Sequence, residues 1–383
     1  MRPYFHRIMD QSKTWKRPNR VGFLLGIVGV VLFLLTPSGL WAQVVNTGFA
    51  DSSGGIRLGN DQWVLGAQLD LYRNWSSSKA KEIPDLVSSS SLHQWSVNLA
   101  YLDLRYRGDQ IRSRLMPAFG TYMERNYGSG EPRLLEASLG YRPWKSHDLW
   151  LDAGLLGSPF TNESPLSRDQ PTYTRSLSAE FVPYYLSGIR LGYSWGPRLS
   201  TYVYGVNGWQ QAVDRVSGQA LVVQVEYRPA PKVLINVNFF RGQEQHATQR
   251  FAGSNEPQSG MRTLWDAYVI FRPTPKILLT SSFYHGTQAN DRWKQANLIV
   301  EKNWGGQGAF HLRVETLNDP FGVVLPRNNS SYTGVIHGYS GGIKYKVQEH
   351  LLLRSEFRTL FRRQTIGSSE AWPYWTLSAS MGL

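Results

Sequence analysis

Residues 227–235 read YRPAPKVLI, and residues 271–279 read FRPTPKILL. Each copy runs from an aromatic and an Arg through Pro-x-Pro-Lys into an apolar run, flanked by residues that alternate apolar and polar. Proline brings no N–H to a strand ladder and its fixed φ suits a tight turn, so the phrase marks a hairpin tip. Looser copies stand at YRGDQIRSRL (106–115), YRPWKSHDLWL (141–151), YSWGPRLST (193–201), KNWGGQGAFHL (302–312) and YKVQEHLLL (345–353). Seven short turns of one kind, roughly thirty to fifty residues apart, predict seven hairpins joined by long returns. That is the plan of an up-and-down barrel.

The stretches between the turns carry strand periodicity. In the first, about 63–72, Trp63, Leu65, Ala67, Leu69 and Leu71 share one face while Gln68 and Asp70 share the other. Further strands are expected at about 95–107 and 111–122, with a bulge near Tyr101 and Leu102, then at 134–142, 149–157, 186–195 and 199–208. Two pairs surround the Pro-x-Pro turns, two more meet at Gly305-Gly306 and at 348–350, and a last strand occupies 372–383. The fold class is therefore all-β, a transmembrane up-and-down antiparallel β-barrel of about sixteen strands, with fourteen or eighteen satisfying most of the same reasoning. The end supports it: Trp375, Leu377, Ala379, Met381 and Leu383 alternate with Thr376, Ser378, Ser380 and Gly382.

Charge and targeting bound the setting. No apolar run reaches the roughly 18 residues of a spanning helix. The stretch 21–35 is apolar, follows six basic residues and precedes a Pro/Gly break and Leu40-Trp41-Ala42, the layout of a secretory signal peptide. The expected organisation is a signal peptide at 1–42, a periplasmic lead-in at 43–61 and a barrel at 62–383. An uncleaved anchor is the competing reading of the leader, and Met9 is an alternative start. Removing the leader lowers the formal net charge from +13 to about +8. That excess is spread along the chain, whereas a nucleic-acid footprint is clustered. The chain has no Cys, which excludes disulfide scaffolds and thiolate metal sites.

A soluble sandwich also alternates, so further features must separate the two. The strands run to about ten residues where about five or six is usual in globular sheets. Aromatics crowd the short turns: Tyr141, Trp144, Trp150, Tyr193, Trp195, Tyr227, Phe271, Trp304 and Tyr345. Trp and Tyr favour the headgroup level, and barrels gather them into girdles.

A barrel of about sixteen strands is too wide for side chains to fill. The alternation places Arg105, Arg112, Arg114, Arg190, Arg228 and Arg313 on the lumen side, and with them Lys344, Lys346, Arg354 and Arg358. Arg107 and Arg362 fall on the same side, as do Glu315, Glu356 and other acids, with a basic surplus. Charged rings bias ion passage by sign, so weak anion preference is expected, against the plainer reading that mixed charges merely hydrate the wall. The long segment 158–185 stands where porins fold a loop inward, which makes Glu163, Arg168, Asp169, Arg175 and Glu180 the expected constriction. No catalytic, cofactor-binding or metal-binding constellation is visible. His285, His311 and His337 are the residues a rim hydrolase would draw on.

One stretch has a family likeness. LWLDAGLLGSPFTNESPLSRDQPTYTRSLSAEFVPYYLSGIRLGYSW, followed by GVNGWQ (205–210), resembles the outer-membrane beta-barrel porins called porin-2 or OmpL-like. The likeness is specific across about 149–210 and diffuse elsewhere. It implies an outer-membrane channel. The sequence as a whole predicts a porin for passive diffusion of small hydrophilic solutes, with the outer-membrane bilayer, those solutes and an optional homo-oligomer as partners. The alternative is a closed or plugged barrel serving adhesion or envelope scaffolding through loops 74–91, 243–260 and 318–337.

Overall fold

A computed structural model of the chain describes residues 55–59, 62–127, 132–213, 218–245, 259–325, 332–364, 367 and 369–383. The signal-peptide reading, 1–42, lies outside the described residues. So does most of the expected loop 243–260 and residues 326–331 of the loop at 318–337. The lead-in contains a three-residue strand, β1 (Ile56–Leu58), paired to the start of β2 (Trp63–Trp75).

Sixteen strands follow one another from β2 around to β17. They are β3 (Trp95–Arg107), β4 (Ile111–Phe119), β5 (Leu134–Tyr141), β6 (Leu149–Gly157), β7 (Tyr185–Ser194) and β8 (Leu199–Val206). Then come β9 (Ala220–Ala230), β10 (Val233–Gln245), β11 (Ser259–Thr274), β12 (Ile277–Gln288) and β13 (Asp291–Gly305). The last are β14 (Gly308–Asn318), β15 (Tyr332–Gln348), β16 (Leu351–Gln364) and β17 (Glu370–Gly382). Each pairs antiparallel with its sequence neighbours, and β17 pairs with β2 over Trp375↔Trp75 to Gly382↔Gln68, so the sheet closes into a barrel. Closure removes the unpaired edges that an open sheet would expose.

The Pro-x-Pro phrases are hairpin tips: Val233 pairs with Ala230 across the first, and Thr274 with Ile277 across the second. Three details differ from the sequence expectation. The strand expected at 111–122 stops at Phe119, because Gly120 at φ 120° turns the chain into a short helix, α1 (Thr121–Asn126). A Cβ at Gly120 would lie 2.5 Å from the Asn98 carbonyl oxygen, so this turn needs glycine. The bulge expected near Tyr101 lies earlier: Asp70 pairs with Leu99 and Leu71 with Val97, leaving Asn98 as the extra residue. Between β12 and β13 the expected long return is only Ala289 and Asn290.

The two faces differ as a membrane barrel requires. Along β14, Phe310, Leu312 and Val314 are 54%, 65% and 46% exposed, while the intervening His311, Arg313 and Glu315 are 1%, 1% and 6% exposed. Leu102, Leu115, Leu139, Ile189, Phe283 and Phe357 continue the exposed apolar surface around the other strands. An apolar surface of this extent is foreign to a protein solvated by water on that side. Aromatic pairs stand at the short-turn end, with ring centroids 4.9 Å apart for Trp63 and Tyr106, 4.7 Å for Tyr193 and Trp195, and 4.2 Å for Trp304 and Phe310. No helix among the described residues is long and apolar enough to cross a membrane; strands make the crossing.

Candidate functional site: the barrel interior and its inserted loop

The segment between β6 and β7 folds into the barrel. Residues 159–167 and 170–186 are all buried, and the loop includes a single helical turn, α2 (Leu177–Glu180), whose N-cap Ser176 accepts the Ala179 N–H. At its tip Arg168 is half-buried and donates to the Glu349 carbonyl oxygen at 2.9 Å, in the short turn between β15 and β16. The loop therefore enters from the long-loop end and reaches the opposite mouth.

Backbone groups taken away from water need partners, and the wall supplies them. Glu356 accepts the N–H groups of Tyr173 and Thr174, both at 2.9 Å, the Thr174 hydroxyl at 2.8 Å and Arg313 Nη2 at 2.9 Å. Glu315 accepts the Leu177 N–H at 2.5 Å and Arg358 Nε at 3.0 Å, while Arg358 Nη1 donates to the Arg175 carbonyl oxygen at 2.9 Å. Arg354 donates to the Ser167 carbonyl oxygen. On the β2 side Asp70 accepts the Ser167 hydroxyl at 2.9 Å. Across the barrel Asp266 accepts the Thr161 N–H at 3.2 Å, and Asn162 donates to Thr280 Oγ1 at 2.8 Å and Asn297 Oδ1 at 3.1 Å. Apart from the Arg313–Glu356 and Arg358–Glu315 contacts, which join β14 to β16, each of these bonds ties the loop to a strand.

The five residues expected to form a constriction take different positions. Glu163 is fully buried and accepts Ser176 from the same loop. Burial pushes its carboxyl above the ordinary carboxylate range, although Arg313 acts in the other direction. Arg175 donates to the carbonyl oxygens of Ser164 and Pro165 and lies over the Tyr122 ring, 4.7 Å from its centroid. Glu180 accepts the N–H groups of Val87 and Ser88 at 3.0 and 2.9 Å, and burial pushes it up to about 7 against the pull of Arg175. Only Arg168 and Asp169 reach solvent. The loop at 74–91, for all its Ser and Lys content, is partly packed inward. Ile83 and Leu86 join Leu177 and Phe181 in an apolar cluster, and Ser88–Ser91 are buried.

The residues expected to line the lumen form ion pairs within and between strands, and one with a loop. Arg112 and Arg190 share Asp152 at 2.7 and 3.0 Å, Arg114 binds Asp103 at 2.8 Å and Glu136 at 3.1 Å, and Arg105 lies 3.4 Å from Asp103. Arg228 pairs with Glu226, Lys344 with Glu301, and Arg362 with Asp85. Their exposure is uneven. The side chains of Arg112, Arg190 and Arg228 keep 36%, 22% and 23% exposure, whereas Arg313 and Arg358 keep 0%. The loop's polar contacts thus run mostly to the β10–β16 wall, its apolar residues also pack on β3–β9, and Arg112, Arg190 and Arg228 of the β4–β9 wall stay partly wet.

Sequence reasoning passed over the uncharged anchors Asn162, Tyr173, Thr174 and Asn297. Asn162 begins a glycosylation-type Asn-Glu-Ser triplet, but it is buried and hydrogen-bonded to the wall. The loop's place in the chain predicts its inward course, and its apolar content, Phe160, Leu166, Leu177, Phe181 and Val182, is a second signal for burial. His285, His311 and His337 do not form a rim cluster: His311 is buried on the inner face and His337 is exposed.

A closed sixteen-strand barrel, greasy outside and charged within, defines an outer-membrane porin-type channel. The chain belongs to the family described as "Putative beta-barrel porin-2, OmpL-like", whose family model matches residues 63–372. Its fold is similar to the outer membrane channel DcaP of Acinetobacter baumannii, at 12% identity and a TM-score of 0.59, covering 88% of this chain and 100% of that one. It is also similar to the trimer form of OmpT of Vibrio cholerae, at 11% identity and a TM-score of 0.55, covering 84% and 99%. A curated "Microbial collagenase" of Vibrio parahaemolyticus is 33% identical over 95 residues, but that match spans 23% of this chain and only 12% of the collagenase.

Proposed function

We propose that the protein is a non-enzymatic porin through which small hydrophilic solutes diffuse, with a weak preference for anions. The observation that carries this reading is the uneven packing of the loop. Arg112, Arg190 and Arg228 of the β4–β9 wall stay partly exposed while Arg313 and Arg358 of the opposite wall are sealed. Those three arginines share two carboxylates, Asp152 and Glu226, so the wet wall carries a positive excess. Charge of one sign along a pore favours ions of the other. Reversal potentials across a planar bilayer under a KCl gradient test the preference. The expected sign is that of chloride-selective current, and cation selectivity would overturn it.

A second reading has its own support. At the long-loop end Phe160 and Val182 of the loop pack with Tyr204, Val206, Val222, Phe240 and Trp293 into one buried cluster, an arrangement that suits a plugged barrel used as an envelope scaffold. Single-channel steps separate the two, because a scaffold gives none. A homo-oligomer accords with the trimer among the similar structures, and cross-linking in detergent tests it.

A further inference from the structure

Inside the barrel, positive charges are matched by carboxylates along most of the wall. Arg313 and Arg358 meet Glu356 and Glu315, Arg114 meets Asp103 and Glu136, and Arg362 meets Asp85. At the short-turn ends of β11 to β16 the matching stops. A cavity of about 450 Å³ opens there, lined by Arg168, Lys276, Lys344 and Lys346, with Glu349 as the one carboxylate of its lining. Glu301 engages Lys344 from the neighbouring wall. Counting both acids still leaves an excess of two positive charges. The ammonium groups of Lys276 and Lys346 have no ion pair among the described residues. Behind them, Arg272 and Arg354 each hold a buried Nε without a hydrogen-bond partner, and both charges act on Lys344.

A second cavity of about 560 Å³ shares Arg168, Lys346 and Glu349 with the first and adds Asp103 and Asp169, so acids answer the cations on that side. The first cavity also has a floor fit for a ligand. Its wall includes the Gly305-Gly306 turn, where a Cβ would meet nothing within 4 Å and a solute can approach the backbone closely. Its volume lies within the roughly 300–1,000 Å³ of small-molecule sites. Arg168 is fixed through its bond to Glu349, so its planar fork is presented by a held side chain.

We infer that this cavity is an anion subsite at the short-turn mouth, binding a small solute through a phosphate or carboxylate group held by Arg168, Lys276 and Lys346. Its use as a station for permeating anions rests on the porin reading; its existence as a binding site does not. Two of the three groups are exposed lysines on and beside turns, so their removal spares the strand ladder. The third belongs to the inserted loop, which couples occupancy of the subsite to the position of the loop tip.

The test is calorimetric titration of inorganic phosphate, and separately of succinate, into the full chain in detergent, beside single-channel recording of the same preparation. Saturable binding of at least one anion is expected, falling with added KCl because exposed charges are screened. The paired substitution Lys276→Gln and Lys346→Gln should weaken binding about tenfold, a change corresponding to one and a half or so lost charge contacts. Arg168→Gln should weaken it as much, while heats with glucose stay at baseline. Lys346→Glu alone should abolish binding, and unchanged far-ultraviolet circular dichroism checks that each variant is folded. Absence of binding by both anions, or equal binding by the paired variant, would overturn the subsite. Channel steps without binding remove the subsite and leave the porin; binding without steps keeps the subsite and removes the porin.

Discussion

At the scale of single residues, the interior depends on carboxylates that serve the loop and the wall together. Glu356 holds two loop N–H groups and Arg313 at once, so Glu356→Ala leaves a buried guanidinium and two buried amides without that partner. Breaking a buried pair from one side costs about 3–5 kcal/mol, and denaturant unfolding in detergent should read a loss of that order. Equal stability of the variant would show that the pair does not anchor the loop. Glu180 behaves differently. Burial raises it to about 7, so the fold favours its protonated form. Its contribution is complete below the ordinary carboxylate range and is lost as pH rises through about 7. Glu180→Gln keeps an acceptor for the Val87 and Ser88 amides without the charge. Thermal midpoints should therefore coincide at pH 4 and favour the variant at pH 8, by on the order of 3 kcal/mol. A variant that is weaker at pH 8 would contradict this. Of these residues, Arg313, Glu315, Glu356 and Arg358 could be assigned to the inner face from period two alone. The role of Glu356 as a receptor for Tyr173 and Thr174 could not, because nothing in strand periodicity says which loop lies opposite.

Among the elements, strands and loops were legible to different degrees. A strand writes its orientation into every second residue, and the repeated turn phrase fixes where each hairpin folds back; β5 to β8 accordingly fall within a residue or two of their expected bounds. Loop 158–185 has no period to read. Its inward course follows from its place in the chain, where porins fold a loop into the lumen, while its Pro, Ser and charged residues by themselves resemble a surface segment. The same composition misleads at 74–91, where Ile83, Leu86 and Leu92 draw a Ser-rich segment inward. Deleting residues 160–182 should enlarge the wet cross-section while leaving β6 and β7 paired from Leu149↔Tyr193 to Gly157↔Tyr185. Unitary conductance in a planar bilayer should rise several-fold. An unchanged conductance would mean that the ions pass where the loop does not reach. Limited proteolysis gives a second reading: the native loop should resist cleavage within 159–167 and 170–186, which are buried and bonded to the wall.

For the molecule as a whole, the organising fact is the inversion of the usual burial pattern. Phe310, Leu312 and Val314 face outward while Arg313 is sealed within, and the sheet closes so that no strand edge is left over. That arrangement is stable only if hydrocarbon surrounds the barrel and polar groups are satisfied inside it. Ion conduction past the partly exposed Arg112, Arg190 and Arg228 of the β4–β9 wall is read by single-channel recording of the purified full chain in a planar bilayer. Discrete steps that favour chloride and grow when the inserted loop is removed are expected. A bilayer that stays silent with the native chain and with the loop-deleted one would contradict such conduction.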